Sequence, residues 1–321
     1  MKYSKYDWKN SLFGVALEHY LELTKHTIQQ TTYDGYVKYT KRIAEWFNER
    51  EIFVHEICPE MIEDYYQHIR SQSKVSENTV RHYHVIIYKF CKWLYNRDYI
   101  QSNPADKIDK PKAKKYNANY YNEEQAYELL DIVKNKYPDF YVAIQLALIY
   151  GLRRSEVCGL QWSCVDLKNN VIHINAKMVI TKKQDGKRLL HSQELKSESS
   201  RRSLPISKDF ADYLKSLKTS NTKPTDFVFT IDNGKPVEPD YLTHHFGLII
   251  KNNNLAPIRF HDLRHSCATI LINNDVSIKF VQEWLGHSCY STTADIYSHV
   301  YEKSKIACIS TMDKVLFGKR E

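Results

Sequence analysis

A chain of 321 residues is longer than one hydrophobic core comfortably supports, so its length predicts two domains, each able to bury a core of its own. Hydrophobic residues at 42% and charged residues at 26% give the balance of a globular protein, and no run of eighteen apolar residues is present to span a bilayer. The opening MKYSKYDWKN is too polar for the core of a signal peptide, which excludes export and leaves the cytoplasm, with no membrane contact, as the expected location.

The seven cysteines (Cys58, Cys91, Cys158, Cys164, Cys267, Cys289 and Cys308) are odd in number, scattered and without a C-x-x-C pair. That pattern argues against a disulfide framework and a structural zinc site and reads as reduced, mostly buried thiols. A net charge of +8 favours an anionic partner. Clustering in DKPKAKK (109–115), in KKQDGKR (182–188) and at Arg201 and Arg202 places positive charge where a polyanion backbone could run, with solvated loops as the plain alternative.

From Ser11 to Asn96 apolar residues recur at helical spacing, at Tyr36, Tyr39, Ile43, Trp46 and Phe47 and again at Val80, Tyr83, Ile87, Phe90 and Leu94. Pro59 opens PEMIEDYYQHIR as a first-turn proline, and Ser76 is an N-cap for the helix carrying Val80 to Leu94. Four helices therefore fill the first hundred residues, and their aromatic stripes are core positions rather than ligand contacts. NPADKIDKPKAKKY (103–116) breaks the periodicity with two prolines and seven charged residues, which reads as a basic interdomain linker able to lie along a DNA backbone. Beyond it, Asn122 with Gln125 forms a capping pair, and DFYVAIQLALIYG is a buried helix ending at Gly151. VIHINAKMVI and LLHSQELKSESSRRSLPI, on either side of the turn-like QDG, predict a small antiparallel sheet; helices resume near Lys208 and continue to the end.

Three polar groups ask for more than a structural reason. In GLRRSEV (151–157), two arginines and a glutamate follow the buried helix; they form either an exposed helix start with a local pair, or a phosphate-binding Arg153 with Glu156 holding the local structure. In RFHDLRHSCATILI (259–272), His261 and Arg264 share a helix face near an N-terminus that favours anions. His261 and His265 have the spacing of a zinc pair, but Asp262 stands where H-E-x-x-H has its glutamate, so a metal role is disfavoured and His265 is left without a site role. In WLGHSCYSTTADIYSHV (284–300), a helix stops at Gly286, presents His287, and brings Tyr297 ten residues later.

Taken in order, GLRRSE, LKSESSRR, HDLRH, LGH and the following tyrosine span about 145 residues, and the set resembles the tyrosine recombinase family of phage-type integrases and site-specific recombinases over essentially the whole chain. The resemblance implies an active site of Arg153, Lys196, His261, Arg264, His287 and Tyr297, with Glu156 as the acidic neighbour of the first arginine. Tyr150 stands where threonine is frequent, Arg154 replaces an aliphatic residue, and Ser197 follows the lysine where threonine is usual; none of these removes a reacting group. Only the SSRRSLP context singles out Lys196 from Lys182, Lys183 and Lys187.

Such a set suits phosphodiester cleavage with neither metal nor cofactor. Two arginines neutralise the phosphate, His261 takes the proton of Tyr297, Lys196 protonates the departing 5′-oxygen, and His287 hydrogen-bonds the phosphate. The product is a 3′-phosphotyrosine, and its retained bond energy allows strand exchange without ATP. The implied fold is mainly α with a small antiparallel β-sheet: a helical, SAM-like core-binding domain (1–105), a basic linker (106–117) and an α+β catalytic domain with a C-terminal tail (118–321), closing as a C-shaped clamp on duplex DNA.

The implied partners are double-stranded recombination sites, three further copies in a homotetramer on paired sites, and accessory DNA-bending proteins. Ile306, Ile309, Met312, Val315 and Leu316 give the tail a helix-like apolar pattern, expected to dock on a neighbouring protomer, with docking on its own domain as the alternative. The few residues before Ser11 leave no room for the separate arm-binding domain of many integrases. Two rival functions are a type IB topoisomerase, disfavoured by the two-domain layout, and an inactive DNA-binding regulator, disfavoured by the complete set of reacting groups.

Overall fold

Apolar residues at three- and four-residue spacing build the first unit of the computed structural model, which describes residues 6–72, 75–112, 119–183, 186–192, 200–231 and 234–286, together with Met312 and Leu316. The chain divides into Met1–Tyr116 with Thr181–Gly186, and Asn117–Ile180 with Lys187–Glu321. In the first unit, α1 (Phe13–Thr24), α2 (Gln30–Asn48), α3 (Pro59–Gln72) and α4 (Glu77–Tyr95) enclose a core of Phe13, Ile43, Phe47, Ile62, Tyr65, Val80, Tyr83, Ile87, Phe90 and Leu94. Ser76 caps α4, its Oγ accepting from the Thr79 amide at 3.3 Å. Tyr36 and Tyr39 lie at the edge of this core, partly buried.

The proline-rich stretch after α4 is not wholly extended. Asn103 accepts from the Ala105 amide at 3.1 Å and starts a 3-10 turn, Pro104–Lys107, whose Pro104 and Ala105 are buried; Ala105 belongs to the first unit's core. An asparagine cap followed by proline provides the local geometry for such a turn.

The second unit begins with α5 (Glu123–Lys136), closed by the reciprocal Asn122–Gln125 capping box at 2.9 and 3.1 Å. α6 (Pro138–Leu148) is buried at every residue from Val142 to Leu148, and α7 (Arg154–Gly159) follows after a short turn. A three-stranded antiparallel sheet, ordered β1 (Val165–Asp166), β2 (Val171–Ile174) and β5 (Arg202–Pro205), pairs Ile172 with Leu204 and Ile174 with Arg202. β3 (Lys177–Lys183) and β4 (Gly186–Ser192) form a separate two-stranded sheet, so the stretch around QDG belongs to two sheets rather than one. β2 ends at Ile174, and the next residue, Asn175, accepts from the Cys164 thiol at 3.2 Å.

α8 (Lys208–Leu217), capped by Ser207, precedes a small hairpin of β6 (Thr230–Ile231) and β7 (Lys235–Pro236) that interrupts the expected helical run, then α9 (Pro239–Asn252), α10 (Asp262–Asn273) and α11 (Ile278–Leu285). Cys267, Ala268 and Ile272 of α10 pack on Val281 and Leu285 of α11. Among the described residues no helix is long and apolar enough to cross a membrane, and five cysteines are free thiols, four of them buried.

Candidate active site

Gly151 sets the entrance to α7. It has φ +64, and a β-carbon there would run into the Leu285 side chain, so this turn needs glycine both for its dihedral and for the approach of α11. Arg153 follows at the N-cap of α7, and Glu156, three residues on, reaches back to it. Glu156 Oε2 accepts from the Arg153 amide at 2.9 Å, and Oε1 accepts from Arg153 Nη1 at 2.7 Å. The carboxylate is only 3% exposed.

A second guanidinium shares that carboxylate. Arg202 of β5 donates from Nη2 to Glu156 Oε2 at 3.0 Å and from Nη1 to Oε1 at 3.3 Å, with its side chain 6% exposed. In the sequence Arg202 stands out only as half of a basic doublet at the end of LKSESSRR. The available signal was strand alternation: residues two apart share a face, so the buried Leu204 places Arg202 on the inner side and Arg201 outside.

α10 is anchored at its first residue. Asp262 is fully buried and accepts from Arg259 Nε at 2.9 Å and Nη2 at 2.8 Å, and His261 occupies the N-cap position. One turn on, Arg264 is 2% exposed and donates from Nη1 to the Gly151 carbonyl at 2.6 Å. The His261 and His265 rings stand nearly perpendicular, 5.5 Å apart. Among the described residues no group of three or more side chains could hold a metal ion.

All three arginines meet the end of α11. Arg202 Nε donates to the Trp284 carbonyl at 2.9 Å, Arg264 Nη2 to Leu285 at 2.5 Å, and Arg153 Nη2 to Gly286 at 2.9 Å. Three consecutive carbonyls thus each receive one guanidinium. A helix C-terminus supplies them, because its last carbonyls lack intrahelical partners and carry the negative end of the helix dipole. Gly286, with φ +65, closes the helix as its left-handed cap.

The three cations surround one carboxylate, an excess of two positive charges. Burial alone would raise the Glu156 carboxyl, but Arg202 above all, then Arg153 and Arg264, bring it down to about 2. Burial and the charge of Arg153 lower Arg264 to about 9 against the pull of Glu156, so it remains a cation at neutral pH. His261 falls to about 4; its ring reaches the surface, but protein crowds around it, and His265, Arg264 and Arg153 all oppose the imidazolium. Burial lowers His265 as well, with Asp262 opposing.

The donor count separates the arginines by role. A guanidinium has five N–H groups. Toward described residues the side chains of Arg153 and Arg264 spend two each. Arg202 spends four, the fourth on the Ser200 carbonyl at 3.2 Å. Arg154, next to Arg153, turns away and donates to Asp240 and Thr243, both at 2.9 Å. Of the residues proposed from sequence, the structure thus brings Arg153, Glu156 and Arg264 together with His261 beside them; Lys196, His287 and Tyr297 lie outside the described residues.

Comparison with known proteins gives the same direction. The phage integrase family model matches residues 119–304, and the phage integrase SAM-like domain matches residues 11–115. A tyrosine recombinase XerC-like protein of Caldanaerobacter subterraneus is 25% identical over 87% of this chain and 77% of its own length. A tyrosine recombinase of Pseudothermotoga lettingae is 25% identical over 94% and 96%. Among solved structures, the Tn1549 transposon integrase in complex with a circular intermediate DNA superposes with a TM-score of 0.73 at 20% identity, covering 91% of this chain and 98% of that one. A lambda integrase tetramer bound to a Holliday junction gives 0.65 at 17%, covering 88% and 79%. With a family model over more than half its length and the arginine constellation in place, the chain belongs to the phage integrase family, the tyrosine recombinases that carry out site-specific recombination through a phosphotyrosine link.

Proposed function

We propose that Arg153, Lys196, His261, Arg264, His287 and Tyr297 carry this recombinase chemistry, with Glu156 in support. The observation behind the reading is that Arg153 is fixed by buried Glu156 and the Gly286 carbonyl, Arg264 by the Gly151 and Leu285 carbonyls, and each keeps three side-chain N–H groups uncommitted toward described residues. Those donors clamp the nonbridging oxygens of a phosphate as it gains charge, the work a metal ion does elsewhere. The Tyr297 oxygen attacks phosphorus as His261 accepts the phenolic proton; a neutral imidazole, favoured by its surroundings, is the form that can do so. The bond to the 5′-oxygen breaks, and Lys196 supplies the proton that makes it a hydroxyl, while His287 donates to the phosphate. Reversal by a 5′-hydroxyl of another strand completes the exchange.

The substrate in this reading is duplex DNA carrying a recombination site, and the working form is a homotetramer on paired sites, as the likeness to DNA-bound integrases supports. Residues 1–105 act as the core-binding domain, 106–117 as the basic linker and 118–321 as the catalytic domain. Met312 and Leu316 lie four apart in helical conformation, 55% and 61% exposed, which fits a tail that docks on a neighbouring protomer. A cytoplasmic protein acting with accessory DNA-bending proteins completes the proposal.

A duplex nicked beside the cleavage point tests it, because the short strand released after cleavage diffuses away and traps the covalent adduct. An adduct formed by the native protein and absent in Tyr297→Phe supports the reading. Tight binding without any adduct makes the protein a DNA-binding regulator, and supercoil relaxation without a recombinant product makes it a topoisomerase.

A further inference from the structure

We infer that Arg202 is a positioning residue for the recombination reaction, one that seats Glu156 and the last turn of α11 together without touching the phosphate. The inference rests on the proposed phosphate clamp of Arg153 and Arg264 and adds to it a third arginine with a different task.

Arg202 is nearly as buried as Arg264, far more so than Arg153, and its hydrogen bonds reach the same carboxylate and helix end, yet its donors are nearly all committed. Four of its five N–H groups are used: two on the Glu156 carboxylate, one on the Ser200 carbonyl and one on the Trp284 carbonyl. A phosphate would find at most one donor left. Arg202 is therefore a poor oxyanion ligand but a good brace, since the fork geometry of a guanidinium fixes several partners in relation to one another.

What it braces matters for both proposed ligands. Glu156 holds Arg153 by backbone amide and side chain, so the orientation of Arg153 depends on where that carboxylate sits. Trp284 is the first of three consecutive residues whose carbonyls are held by arginines. The other two, Leu285 and Gly286, are held by Arg264 and Arg153, and the next residue in the chain is His287. Arg202 thus ties the Trp284 carbonyl to a strand 82 residues away in sequence, while the clamp arginines hold the next two carbonyls. When a phosphate engages Arg153 and Arg264, their grip on the α11 carbonyls is shared with the substrate, and the Arg202 bond to Trp284 is the one that need not change.

The test compares wild type with Arg202→Lys and Arg202→Met. Lysine keeps a charge opposite Glu156 and guards against misfolding, but its single nitrogen cannot span both the carboxylate and the Trp284 carbonyl. DNA affinity and the single-turnover rate of adduct formation at saturating nicked duplex are measured together. Separately, amide hydrogen exchange of residues 281–286 is measured in the DNA-free protein. The expected result is affinity within about threefold of wild type, adduct formation slowed by about 10²-fold in Arg202→Met and about 10-fold in Arg202→Lys, and faster exchange in the last turn of α11 in both.

Exchange at the wild-type rate in both variants overturns the inference, and that readout needs no catalysis, so it stands even if the native protein proves inactive. A loss confined to affinity, with the saturated rate unchanged, also overturns it, by making Arg202 a DNA contact. Absence of any adduct from the wild-type protein refutes the proposed clamp, and with it the catalytic half of the inference.

Discussion

Replacing Glu156 by glutamine tests whether the site is organised by charge. The side chain keeps its shape, but both oxygens of Glu156 accept from arginine donors, so either orientation of the amide points an NH2 at a guanidinium. Folding takes this carboxyl from 4.5 to about 2. At ~1.36 kcal/mol per unit, that difference corresponds to about 3 kcal/mol of stabilisation, the lower end of the ~3–5 kcal/mol lost when a buried ion pair loses one partner. In a unit of this size each kcal/mol moves the melting temperature by ~2–4 °C, so Glu156→Gln is expected to melt about 6–12 °C lower at pH 7.

The pH dependence carries the same signature. Because the folded carboxyl is depressed, its contribution is complete above the unfolded value near 4.5 and drains away as pH falls toward 2. Calorimetry should therefore show the gap between wild type and variant closing over that window. A variant that melts within about 2 °C of wild type at pH 7 would refute the reasoning, since burial cost and attraction would then cancel.

The neighbouring arginines should behave oppositely. Arg153→Ala is expected to slow adduct formation by ~10²-fold or more, whereas Arg154→Ala, which breaks an exposed pair with Asp240 and a hydrogen bond to Thr243, should cost about 1 kcal/mol and leave the rate within about twofold. With burial and neighbouring cations pushing His261 down to about 4 in the DNA-free protein, the adduct-forming rate should hold as pH is lowered below 6.5; an acid-side decline that persists unchanged in His261→Gln would remove His261 as the base. That depressed value also means the unfolded chain takes up the proton first, so His261 costs stability as pH falls from 6.5 to 4, and urea midpoints of His261→Gln should fall less across that range. Gly151→Ala forces a β-carbon into φ +64 and against Leu285, a loss of ~2–5 kcal/mol from left-handed strain and overpacking, visible as a lower melting temperature and slower adduct formation as the end of α11 shifts.

The elements legible from sequence are those whose cause is local. Pro59, Ser76 and the Asn122–Gln125 pair start helices because capping involves neighbours three residues apart, and Gly286 ends one because only glycine takes its dihedral cheaply. Less was visible where pairing is remote. One stretch of alternating residues became two sheets, since β2 takes β5 as its partner across the whole β3–β4 excursion, and the short β6–β7 hairpin carried too few residues to show a period.

The same division holds at the site. Motif order by itself pointed to the family and picked out Arg153, Glu156, His261 and Arg264, because each stands in a short local motif whose spacing the sequence displays directly. Only the tertiary structure decided which arginine has donors to spare. Arg153 and Arg202 are chemically identical, and the sequence counts both simply as positive charge. Their difference comes from partners 46, 82 and 133 residues away, where burial and the carbonyls at the end of α11 commit most of the N–H groups of one and, toward described residues, leave most of the other uncommitted.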